Sequence, residues 1–93
     1  MIIDNRTGPF YYLFMVNNAL QVEQLETARA RYARVNAETD AVIKRFTEAQ
    51  RAYRAREIGD AEYLAARHAY DAAIMEFDVA YATLADLEAK AAR

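Results

Sequence analysis

From residue 25 onward, Leu25, Ala28, Tyr32, Val35, Thr39, Val42, Phe46, Ala49 and Tyr53 follow one another at alternating steps of three and four. That spacing keeps them on one face of a helix and sustains a heptad seam through four heptads. A second seam, Tyr63, Ala66, Tyr70, Ala73, Phe77, Ala80, Leu84, Leu87 and Ala91, runs without a skipped step. Between the seams lies "REIGDAEY". Gly59 is the residue best able to close the first helix in a left-handed conformation. Asp60 can cap the second, with Glu62 favourable in its first turn. The pattern predicts helices over about 21–56 and 60–90, folded back as an antiparallel, coiled-coil-like hairpin. The fold class is all-α, with Phe46, Tyr53, Tyr63, Tyr70 and Phe77 expected to be largely buried.

The second arm carries more apolar surface than one seam uses. Ile74, Phe77, Tyr81 and Leu84 form an additional stripe, so a two-helix hairpin leaves Ile74 and Tyr81 in need of cover. A self-associated dimer or larger helical bundle follows as an expectation.

The opening stretch departs from this rhythm. "GPFYYLFMV" packs four aromatic rings and three large aliphatic or thioether side chains into one run. Pro9 suits a first helical turn, and Phe10, Leu13, Phe14, Asn17 and Leu20 then share a face. Tyr11, Tyr12, Met15 and Val16 fill the other faces, and a helix apolar all round is normally buried all round. Carried backward, the main seam lands on Gln21 and Asn18, so a break or phase change is expected near Asn17-Asn18. Residues 1–20 are thus set apart as a docking or plug segment, and 21–93 as the hairpin. Phe10, Tyr11, Tyr12 and Phe14, with Ile74 and Tyr81, are the candidate partner-binding residues, since clustered aromatics make interface hot spots.

Charge supports the folding back. From Thr27 to Arg56 there are eight basic residues against three acidic, and from Glu57 to Glu88 eight acidic against one basic. One arm is cationic and the other anionic, which disfavours parallel pairing of like arms. The whole chain carries only −2, too little to draw it to nucleic acid or a membrane surface. A signal peptide needs a basic start and a small-residue cleavage site, and the apolar run is far short of the roughly 20 residues a spanning helix requires. A cytoplasmic protein with no membrane role is expected.

The inventory for chemistry is thin. The chain has no Cys, Ser or Trp and a single His, which removes Ser–His and Cys–His nucleophile pairs. His68 has Leu64 and Ala72 as its neighbours one turn away, and a lone histidine is a poor metal ligand. Asp71, Glu76 and Asp78 read as solvated helix charges with no cavity to raise a carboxyl pKa. The two glycines are isolated, so no phosphate-cradling loop exists. These residues predict a non-enzymatic protein with no cofactor and no metal.

The predicted role is therefore binding: a small helical interaction protein with a protein partner. Phage-encoded inhibitors of bacterial defence complexes and adaptor subunits include proteins of this general build, an analogy of class alone. The alternative is an anionic ligand, a nucleotide or nucleic acid, held by Arg29, Arg31, Arg34, Arg51, Arg54 and Arg56 with Tyr32 and Tyr53 interleaved.

Overall fold

The computed structural model describes the backbone of residues 9–92 and the side chains of residues 17–92. Two helices account for it, α1 (Pro9–Arg54) of 46 residues and α2 (Asp60–Ala91) of 32. They pack antiparallel along the length of α2 as an all-α hairpin, a rod of 82 × 17 × 16 Å. The expectations for the side chains of Phe10, Tyr11, Tyr12, Leu13 and Phe14 lie outside the described residues.

The heptad seams are the interface. Among the described residues, the buried positions are small: Ala28, Val35, Ala52 and Ala80, with Thr39 the one buried polar side chain. The rings do not disappear as expected. Phe46, Tyr63, Tyr70 and Phe77 are only partly buried, and Tyr53 remains 38% exposed. Two helices touch along a line, so a methyl or isopropyl group fills the gap between backbones while a ring must splay to the side. The rings stack on one another there. Tyr53 lies 4.5 Å from Tyr63 and Phe46 4.7 Å from Tyr70, centroid to centroid, while Tyr32 lies 5.6 Å from Phe77. Offset and tilted arrangements at these separations add to the area buried.

The turn differs from its sequence reading in detail. Gly59 is not left-handed; Arg56 is, with φ 60°. The Glu57 N–H donates to the Ala52 carbonyl at 2.8 Å, and the Arg56 N–H to the Tyr53 carbonyl at 3.1 Å. Those two bonds make a Schellman motif that satisfies carbonyls the helix end leaves open, with arginine at the position usually taken by glycine. Gly59 is extended and serves as the N-cap of α2, its carbonyl accepting the Tyr63 N–H at 3.1 Å. No side chain caps that helix. The Asp60 carboxylate instead accepts a hydrogen bond from the Tyr53 hydroxyl at 2.6 Å.

The helix does not break at Asn17-Asn18. α1 is continuous from Pro9 to Arg54, since asparagine lowers helix propensity by only a few tenths of a kcal/mol, roughly, and one long cooperative helix absorbs that. Gln21 and Gln24 share a small hollow with Leu87, Lys90 and Ala91 at the far end of α2. The N-terminal turns of α1 therefore run past the end of its partner helix.

Candidate functional site

Numbering the seams a and d separates the two flanks of the rod. In an antiparallel pair the e positions of both helices line one flank and the g positions the other. Arg29 and Glu88, both at e, form an ion pair across the helices at 3.5 Å, which fixes the level at which the two helices meet. One heptad toward the turn, Asn36 and Tyr81 stand opposite. Two heptads along, Ile43 and Ile74 do, and at three Gln50 and Arg67. The middle of this e flank is apolar, and Tyr32 leans into it with its ring 6.2 Å from that of Tyr81. The g flank carries Arg31, Glu38, Arg45 and the buried Ala52 on α1 and Glu62, Ala69, Glu76 and Thr83 on α2, with no large apolar side chain among them.

Both flanks are largely open to solvent, and they differ in the chemistry they expose. On the e flank Tyr81 is 57% exposed and Ile43 38%, while Ile74 is partly buried. Sequence reasoning singled out Ile74 and Tyr81 and missed Ile43. Its signal was available, because Ile43 sits one residue beyond the seam position Val42, as Ile74 sits one beyond Ala73. Farther round α2, Met75 is 70% exposed, with Leu64 and Val79 also open to solvent.

The six arginines of the anionic-ligand alternative are not brought together. Three are already engaged: Arg29 by Glu88, Arg34 by Glu38 at 3.7 Å, and Arg51 by both Glu48 and Glu57 at 2.6 and 2.9 Å. The paired carboxylates hold the Arg51 guanidinium above even its usual high pKa, chiefly through the hydrogen bonds it donates to Glu48 and then to Glu57. Glu48 is lowered in turn by its bond from Arg51. Arg31 lies near the open end, whereas Arg54 and Arg56 lie at the turn, about 35 Å away along the helix at the usual rise per residue. No single phosphate reaches both groups.

At the open end, a shallow groove of about 580 Å³ is lined by Leu20, Gln24, Thr27, Arg31, Asp86 and Leu87 among others. Arg31 and Asp86 give it mixed charge. Near the turn, Tyr53 has its phenol pKa raised, mainly because its hydroxyl donates to the Asp60 carboxylate. That contact ties the end of α1 to the start of α2. Among the described residues no three His, Asp or Glu side chains cluster to hold a metal ion, and no helix is long and apolar enough to cross a membrane. Set against protein families, curated proteins and solved structures, the chain finds no match.

Proposed function

We propose that this protein works by binding another protein chain through the e flank of its hairpin, without catalysis. The observation that carries this reading is the contrast between flanks, apolar around Ile43, Ile74 and Tyr81 on one side and charged on the other. A solvated hairpin needs no such difference, whereas a docking surface does. Tyrosine and large aliphatic residues are also the side chains that anchor interfaces, since they bury much area at little entropic cost. The anionic-ligand alternative lacks a convergent cation cluster. The groove at the open end is shallow and lacks the enclosure that acid–base chemistry uses to shift a carboxyl pKa.

Site-specific photocrosslinking in cells expressing the full chain tests the reading. A photoreactive residue in place of Tyr81 should give protein adducts in good yield, and the same residue in place of Thr83, on the g flank, should give few. Equal yields at the two positions, or none at Tyr81, would refute it.

A further inference from the structure

We infer that the occupant of the e flank is a second copy of this chain, stacked with α1 over the partner's α2 to make a four-helix bundle; the inference rests on the docking role just proposed. The first argument is area. The protomer exposes 7593 Å², against about 5,500 Å² for a compact folded chain of this mass. The excess is about 2,000 Å², while a stable interface takes roughly 800 Å² from each partner. Part of this excess belongs to the turns of α1 that run beyond α2, and the rest to a rod in which each helix has only one neighbour. A second hairpin gives each helix two.

Charge selects the arrangement. Two hairpins can meet flank to flank with α1 over the partner's α1, or with α1 over the partner's α2. The first sets a helix with eight basic and three acidic residues between Thr27 and Arg56 against its own copy. The second alternates cationic and anionic helices around the bundle, with every neighbour antiparallel, as in up-and-down bundles. The two-fold axis then runs along the rod, turn beside turn. At mid-height Ile43 of one copy meets Ile74 of the other, and Tyr81 meets Asn36, in an isologous contact. The rim carries one like-charged juxtaposition, Asp40 of one copy at the level of Asp78 of the other. It lies outside the apolar strip, where water screens it.

Sedimentation equilibrium of the purified chain at micromolar concentration should give twice the protomer mass. Ile74→Glu should shift it to monomer with helix content retained, and Thr83→Glu on the opposite flank should leave the dimer intact. A spin label on a single cysteine replacing Ala61 reports the arrangement. Turn beside turn gives a label distance of about two helix diameters, roughly 20 Å. The opposite stacking, centred on the same apolar strip, puts the two labels roughly 40–60 Å apart, since Ala61 lies about 13 to 20 helical residues from that centre. A monomer at all concentrations overturns the inference, and so does a dimer indifferent to Ile74→Glu or one with the long label distance. A monomer whose Tyr81 position still crosslinks a different protein in cells overturns only the inference and leaves the docking role standing.

Discussion

Thr39 holds a seam position at 5% exposure, and its hydroxyl has no hydrogen-bond partner among the described residues. A buried, unsatisfied hydroxyl costs about 1–3 kcal/mol, while valine fills nearly the same volume with no polar atom. Thr39→Val should therefore stabilise the hairpin by about 1 kcal/mol. The measurement is urea unfolding, where the midpoint should rise with an unchanged slope; a lower midpoint would show that the hydroxyl is satisfied after all. Single residues were read unevenly from the sequence. Thr39, Val35 and Ala80 stand where the heptad places them. The extent to which each is buried was not legible, because periodicity gives direction toward the neighbour and not the width of the gap. Tyr53 shows this. It faces the seam as predicted, yet the line of contact is too narrow to cover its ring, which lies on Tyr63 and hydrogen-bonds Asp60 instead.

At the scale of elements, the course of both helices from residue 21 onward and the tight connection between them were legible, while the unbroken continuation of α1 back to Pro9 and the residue that closes it were not. Glycine is the natural left-handed residue, so Gly59 drew that assignment. The chain turns three residues earlier, because the Schellman bonds to Ala52 and Tyr53 follow from where the seam ends at the last stacked ring. Arg56 bears the cost of a left-handed backbone, and Gly59 sits extended with nothing within 4 Å of an added Cβ. Exchanging the two roles should help. Arg56→Gly relieves the Cβ clash, and Gly59→Ser supplies an N-cap oxygen while restricting the unfolded chain. The double variant should gain roughly 1 kcal/mol in thermal or urea unfolding. A variant no more stable than the parent would mean that Arg56 makes up its backbone cost through contacts of its own.

For the molecule as a whole, the decisive feature is that α1 outruns α2. The second helix ends near Gln21 and Gln24 of the first, so the turns that follow Pro9 extend beyond the hairpin's own pairing. A core plug closing the protomer is one reading of the run from Phe10 to Phe14. Its removal would then forfeit the burial of several large side chains, at about 1.5–3 kcal/mol each. The continuity of α1 favours a different division of labour. In a bundle with its two-fold axis along the rod, both copies carry these turns to the same end, where each extends beyond the other's α2 as well as its own. From Thr7 to Val22 the sequence has no charged residue, so like-charge repulsion does not keep two such segments apart. Deleting residues 1–16 should then leave the hairpin folded, with unfolding free energy changed by less than about 1 kcal/mol once measured in the monomer. The same deletion should weaken self-association by at least tenfold, read from the concentration dependence of sedimentation. A truncated chain that unfolds would restore the plug. One that folds and dimerises as tightly as the full chain would leave the aromatic run outside the assembly altogether.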